Sequence, residues 1–353
     1  MTIEESYVVL GQVLGSVAGS RNTSEVPSSL KRSVENLLAA VEDASRTNPW
    51  FILPFVQESL KAWSRALQPE KVYAWLKSYG PVNDISPKII GVVMAGNIPM
   101  VGLHDLLCVV ASGHHLMAKL SGADDRLIPA VAEVLKAIRP ETGQRISFTG
   151  GIIGDVDAMI ATGSNNTARY LEYYFSRFPH IIRRNRNGLA VLTGEENSDQ
   201  LSLLADDIFL YFGLGCRNVS KIYIPKDFDL ERLMAACGKF TFLADHSKYR
   251  NNYDYQKSIM MINRVFFNDN GFLLAREAGA LASPVSVVHF DPYQDILQVR
   301  EQLSVLSSEI QCIVTDSAQI EEAVRFGQSQ YPGLSDYADG IDTMAFLRNL
   351  NLK

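Results

Sequence analysis

Ile89-Ile90-Gly91-Val92-Val93-Met94-Ala95-Gly96-Asn97-Ile98-Pro99 is a continuous apolar, largely β-branched run that ends at small and polar residues. An unbroken run of this kind is the pattern of a strand buried on both faces, and Ala95–Pro99 reads as the loop leaving it. Further along the chain, Val101–Ser112 reads as an apolar helix and Leu116–Leu120 as a second strand. Leu127–Ile138 reads as a second helix and Arg145–Phe148 as a third strand. Val156–Thr162 gives another strand, followed by Gly163-Ser164-Asn165-Asn166-Thr167 and a helix over Ala168–Arg177. This alternation predicts βαβ units and an α/β fold with a mostly parallel, doubly wound sheet. Such sheets take ligands at the carboxyl ends of their strands. Asn97, Lys119 and the Gly163 turn all fall there.

Residues 188–325 repeat the theme. Leu189–Thr193, Lys221–Ile224, Val285–Phe290 and Ile310–Thr315 read as strands, with helices over Leu230–Phe240 and Tyr255–Phe267 between them. Leu201, Leu204, Ile208, Tyr211 and Phe212 recur at helical spacing. Gly213 and Gly215 then break the helix and leave Cys216 on a tight helix-to-strand turn. There a sulfur can be approached by a substrate, as a nucleophile requires; the plainer reading is a packed structural thiol. Before residue 80 the chain reads as helices, one over Val34–Val41 and another opened by Asn48 and Pro49. The expected organisation is a helical segment at 1–80, a cofactor-binding domain at 81–188, a catalytic domain at 189–325 and a tail at 326–353.

The chain has 353 residues, 47% of them hydrophobic, enough to bury a large core in two domains. A net charge of -6 leaves no basic footprint, so nucleic acid is not expected as a partner. Four scattered cysteines without CxxC spacing, and six histidines without HExxH spacing, argue against a metal site and a disulfide framework. Cys312, inside a strand pattern, and His114 and His115, entering one, read as structural. No GxSxG elbow points to a serine hydrolase. Met1–Leu10 begins acidic and polar, unlike a secretory leader, and no run of about 18 apolar residues predicts a membrane span. A cytoplasmic setting is the expectation.

Three further features have a functional and a plain reading. The Asn97 side-chain amide can donate to an oxyanion, a role worth about 3–4 kcal/mol, or close a turn through its own backbone. Lys119 can reach a cofactor's ribose or phosphate, or snorkel to solvent. Gly163-Ser164 opens a helix, where backbone amides favour a phosphate, although neither it nor Gly150–Gly154 is a GxGxxG. Arg183, Arg184 and Arg186 form a short basic run: a solvated surface, or a contact with an anionic cofactor or the phosphates of coenzyme A.

The order Ala95-Gly96-Asn97-Ile98-Pro99, Lys119, Thr162-Gly163-Ser164 and Phe212-Gly213-Leu214-Gly215-Cys216 resembles the aldehyde dehydrogenase superfamily. Gly215–Ser220 and Gln330–Gly340 look like its acyl-CoA reductase branch, the long-chain fatty acid reductases of bacterial bioluminescence. The resemblance implies an aldehyde dehydrogenase-like fold, Cys216 as nucleophile and Asn97 as oxyanion donor. It further implies Ala95, Gly96, Lys119, Gly163, Ser164 and Glu277 as cofactor contacts, although the spacing of Glu277 to Pro284 departs from the family's. Two more departures set a direction. The carboxylate that grips the adenosine ribose in many relatives is absent after Lys119, which permits NADPH alongside NADH. The Glu-Leu-Gly-Gly motif that activates water is replaced by Ile181-Ile182-Arg183-Arg184-Asn185. A thioester reductase discharges its acyl-enzyme by hydride transfer and has no use for activated water. The implied activity is therefore reduction of a medium- or long-chain acyl-CoA or acyl-carrier thioester to the aldehyde, in a homo-oligomer with the tail as assembly segment, and an acyl-transferring or acyl-activating protein is a candidate partner. Reduction of another activated acid, such as an acyl phosphate, and a non-catalytic acyl-binding subunit are the alternatives.

Overall fold

The computed structural model describes residues 1–19, 27–82, 86–151, 153–163 and 165–350. The chain forms two compact units, residues 1–184 with 332–353 and residues 185–331.

The first unit opens with α1 (Ile3–Gly19), α2 (Lys31–Thr47), α3 (Leu53–Ala66) and α4 (Pro69–Lys77). Val34, Leu37, Val41 and Ala44 line one face of α2 and are its buried residues, as helical periodicity requires. α3 starts at Leu53 with Pro54 in its first turn, not at Pro49. Pro54 brings a fixed φ and no amide hydrogen to satisfy, so it is the better start. Asn48 closes a local turn instead: its Oδ1 accepts the Trp50 N–H (3.1 Å) and its Nδ2 donates to the Ala123 carbonyl (3.1 Å).

Then come β1 (Ile89–Val93), α5 (Leu103–Ala111), β2 (His115–Lys119), α6 (Leu127–Ile138), α7 (Pro140–Gly143), β3 (Ile146–Thr149), β4 (Ala158–Thr162), α8 (Asn165–Phe175) and β5 (His180–Arg183). The strands form one parallel sheet in the order β3-β2-β1-β4-β5. Its core is continuous with that of the helical segment, joining Leu10, Leu37 and Leu60 to Val92, Leu106 and Ile160. The end of the chain returns here. Helix Thr343–Asn349 buries Thr343, Met344 and Leu347 and packs on α5. The Trp75 indole donates to the Tyr337 hydroxyl (2.8 Å), and Arg348 donates to the carbonyls of Gly80 (2.9 Å) and Pro81 (3.0 Å). His114 is buried, with Nδ1 accepting the Lys88 N–H and Nε2 bonded to the Leu347 carbonyl.

The second unit contains β6 (Asn187–Val191), α9 (Ser198–Phe209), β7 (Val219–Pro225), α10 (Leu230–Ala236), α11 (Ser247–Ile262), β8 (Asn268–Asp269), β9 (Leu274–Glu277), β10 (Val287–Tyr293), α12 (Ile296–Val305) and β11 (Ile310–Val314). The sheet order is β11-β6-β7-β10-β9-β8, parallel except for β8. α9 begins with a capping box between Asn197 and Gln200. β10 starts at Val287, two residues later than its sequence pattern suggests, because Ser286 is left-handed (φ 67°) and cannot continue a strand. Cys312 is buried in β11. Among the described residues no helix is long and apolar enough to cross a membrane.

Candidate active site

In the first unit the carboxyl ends of β1, β2 and β4 share one sheet edge. The chain runs outward from β1 through β2 to β3, then returns to place β4 on the other side of β1. The β1/β4 boundary is therefore the topological switch point, where doubly wound sheets open a ligand crevice. Half-buried Ala95, buried Gly96 and exposed Asn97 leave β1; half-buried Lys119 ends β2 level with Val93; half-buried Gly163 leaves β4. Five of the expected residues thus meet at this edge. Ser164 lies outside the described residues.

The loop carrying Asn97 is tied down on both sides. The Met94 N–H donates to the Lys119 carbonyl (3.0 Å). A Cβ at Gly96 would stand 2.6 Å from both Cβ and Oγ of Ser121, so only glycine lets the loops after β1 and β2 pack this closely. The Ser59 hydroxyl donates to the Pro99 carbonyl (2.9 Å). Met100 is left-handed (φ 57°) and buried, and its N–H donates to Asp124 Oδ2 (2.8 Å). Asp124 is itself buried, which pushes its carboxyl up to about 6. Its Oδ1 makes no full hydrogen bond among the described residues.

The basic run divides between a buried ion pair and the surface. Arg183 is buried and forks onto Asp105 of α5 (2.7 and 2.8 Å), with a further bond to Thr343 Oγ1 (2.9 Å). Arg184 is exposed and pairs with Glu172 (2.6 Å), and Arg186 donates to the Ile310 carbonyl (3.4 Å). All three are engaged within their own units. The carboxylates at the end of β5 are all engaged: Asp105 by Arg183, Asp339 by the Arg184 N–H (3.1 Å) and Glu172 by the Arg184 guanidinium (2.6 Å).

In the second unit Cys237 and Cys312 are buried, as is Cys108 in the first unit, while Cys216 is exposed. Three consecutive left-handed residues lead from α9 towards it: Tyr211 (φ 56°), Phe212 (φ 59°) and Gly213 (φ 72°). For the two aromatic residues this conformation costs roughly 1–2 kcal/mol each. It is held by burial of both rings and by the tilted contact of Phe212 with His246, centroids 4.5 Å apart. Behind the turn, buried Asp207 accepts the amide hydrogens of Gly327 (2.6 Å) and Ser329 (2.9 Å), and Arg217 Nε donates to the Ser329 carbonyl (2.6 Å). Burial raises the Asp207 carboxyl to about 6 despite those bonds.

Cys216 precedes β7 and lies at its amino end. Glu277 is the last residue of β9, level with Phe290 and, through it, with Ile222. Ile222 is the middle residue of β7, so Glu277 stands farther along the sheet than Cys216. Glu277 is exposed and lines a cavity of about 500 Å³ with Tyr223, Lys226, Asp291 and Tyr293. Among the described residues no three His, Cys, Asp or Glu side chains converge as a metal site. Asp105, Asp124 and Asp207 escape a sequence reading because each lies in an apolar run or a turn whose partner is distant. The available signal is a carboxylate amid helix-core residues, as in Leu103-His104-Asp105-Leu106-Leu107.

No family model and no curated protein sequence matches the chain. Solved structures do match in fold. Aldehyde dehydrogenase 21 from Physcomitrella patens, in complex with the reaction product succinate, aligns over 99% of this chain and 85% of its own at 11% identity and a TM-score of 0.66. An E. coli NADP-dependent enzyme aligns over 89% and 73% at 11% identity, TM-score 0.61. Mycobacterium tuberculosis aldehyde dehydrogenase complexed with NAD+ aligns over 88% and 77% at 14% identity, TM-score 0.55. The fold is aldehyde dehydrogenase-like.

Proposed function

We propose that this protein is an NAD(P)H-dependent oxidoreductase that reduces an acyl thioester to an aldehyde through an acyl-cysteine at Cys216. The observation that carries the reductive direction is the end of β5. A hydrolysing aldehyde oxidiser needs a general base for water. Here that strand ends in Arg183, the neighbouring Asp105 carboxylate is consumed in a buried ion pair, and the two acids beside Arg184 are engaged as well, Asp339 by its N–H and Glu172 by its guanidinium.

Cys216 attacks the thioester carbonyl as a thiolate. A C–S bond forms to the protein, the bond to coenzyme A (or to a carrier thiol) breaks, and the departing thiolate takes up a proton. Asn97 is assigned the oxyanion-donor role, with the Cys216 backbone N–H as a second donor. A nicotinamide cofactor, when bound, supplies the hydride that turns the acyl group into the aldehyde. The switch-point edge suits such a group: Ala95, Gly96 and Gly163 bring backbone close, and Lys119 offers a cation to ribose or phosphate. Residues 120–123 carry no acid, and the next one, Asp124, is turned inward to Met100. No carboxylate stands in the four residues after Lys119 to repel a 2′-phosphate, and the exposed Asp125 farther along the loop pairs with Arg126 (3.7 Å), so NADPH is accepted alongside NADH. A medium- or long-chain acyl group, a homo-oligomer and a cytoplasmic setting complete the reading.

Cys216→Ala should lower acyl-CoA-dependent NADPH oxidation by roughly three or more orders of magnitude. Mass spectrometry of the wild-type chain should show an acyl adduct on Cys216 that NADPH discharges. Full activity in the alanine variant would refute the reading.

A further inference from the structure

We propose that Asn218 is a positioning residue for Cys216, holding the thiol outward by closing the turn on which it sits. The proposal rests on the reading of Cys216 as the reactive thiol. Asn218 is buried, two residues past the cysteine and one before β7. Its backbone N–H donates to the Gly215 carbonyl (3.1 Å), and its Oδ1 accepts the Gly215 N–H (2.8 Å). Residues 215 and 218 are thus bonded in both directions, with Cys216 and Arg217 forming the tip between them. The Nδ2 of the same side chain donates to the carbonyls of Asp207 (3.0 Å) and Leu210 (2.9 Å), the acceptors left over where α9 ends. One carboxamide therefore joins the helix end, the left-handed residues 211–213 and the cysteine turn.

A second, independent contact fixes the turn from beneath. A Cβ at Gly188 in β6 would lie 2.6 Å from the carbonyl oxygens of both Arg217 and Asn218. The β6·β7 pairing shifts register at this point. The backbone of β6 therefore seats the turn directly, and only glycine permits it.

The consequence for chemistry concerns where the sulfur points. A thiol is mildly apolar and favours burial, yet Cys216 is exposed at the tip of a turn that two hydrogen bonds close. If the turn opens, the thiol gains the freedom to turn away from solvent. Asn218 thus acts through another residue, on the access and direction of the nucleophile.

The test is the second-order rate of Cys216 alkylation by iodoacetamide in the full chain, read by peptide mass spectrometry at 10 °C. The buried Cys108, Cys237 and Cys312 serve as internal controls for unfolding. Asn218→Ala is expected to slow Cys216 alkylation at least fivefold while the three controls stay protected. Acyl-CoA reduction should lose at least tenfold in kcat, with KM within twofold. Gly188→Ala, which keeps the carboxamide and disturbs the seat, should slow alkylation in the same direction, and it decides the matter if Asn218→Ala does not fold. Alkylation at the wild-type rate or faster in a folded variant overturns the proposal. The alkylation readout needs no turnover, so it stands even if the wild-type protein reduces no acyl thioester.

Discussion

Asp124 and Asp207 occupy comparable positions in the two units. Each is a buried carboxyl raised to about 6, and each accepts backbone amides from a segment beside a candidate site residue. They differ in how fully they are used. Asp207 spends both oxygens on amides, whereas Asp124 makes one full bond, to the Met100 N–H, and has in the Leu127 amide only a weaker second partner. An ionised carboxylate with a weakly bonded buried oxygen costs stability that a fully bonded one recovers in part. The segment behind Cys216 is therefore locked by its carboxylate, while the loop bearing Asn97 is held at a standing cost and relies on Gly96 and Ser59 for the rest.

The largest expected effect tests whether the units are independent. Arg183→Met leaves Asp105 charged and alone in the first unit's core and should cost about 3–5 kcal/mol in urea unfolding. The alkylation rate of Cys216, in the other unit, should not change. A change there would end the picture of separately built sites.

The next effect separates the two carboxyls by pH. A folded-state value near 6 lies above the ordinary unfolded value of about 3.9. The folded protein therefore binds this proton more tightly, and the stability it brings is complete below about pH 4 and lost as pH rises through about 6. The loss is on the order of 2–3 kcal/mol for each group. Asp124→Asn should remove its share of that slope and be neutral or stabilising at pH 7, since an amide oxygen still accepts the Met100 N–H. Asp207→Asn should instead destabilise by about 1–3 kcal/mol at pH 7, because an amide accepts through only one atom. Equal behaviour of the two variants in thermal unfolding at pH 4.5 and 7 would erase the distinction.

The smallest effect concerns Lys119, which is half-buried at the sheet edge and solvated in part. Lys119→Ala should raise the KM for NADPH roughly three- to tenfold with little change in kcat. An unchanged KM would return Lys119 to the snorkelling reading.

Much of this architecture is legible in the sequence, for a definite reason. Strands buried on both faces, such as Ile89–Val93 and Ala158–Thr162, must be apolar throughout, so they declare themselves without neighbours. The short β5 does not, because two isoleucines between His180 and Arg183 carry no period. Arg183 itself misleads. Beside Arg184 and Arg186 it looks like surface, and its partner stands 78 residues earlier in a helix. Asn48 looks like a cap because Pro49 follows it, yet Pro54 opens the helix. Of the candidate site, Asn97, Lys119, Gly163 and Cys216 are legible as loop and turn residues at strand ends. Glu277 stands at a strand end too, and only the register reveals that it is level with the middle of β7.

The first unit is interrupted: residues 185–331 are inserted between its sheet and its last helix. During synthesis on the ribosome, Arg183 and the indole of Trp75 emerge long before Thr343 and Tyr337, their partners in the finished core. The second unit is contiguous and can complete itself first, so this chain's order of assembly runs against the usual amino-to-carboxyl sequence of domain folding. Chains truncated after residue 335 and released should accordingly carry a protease-resistant second unit beside a first unit that is still cut.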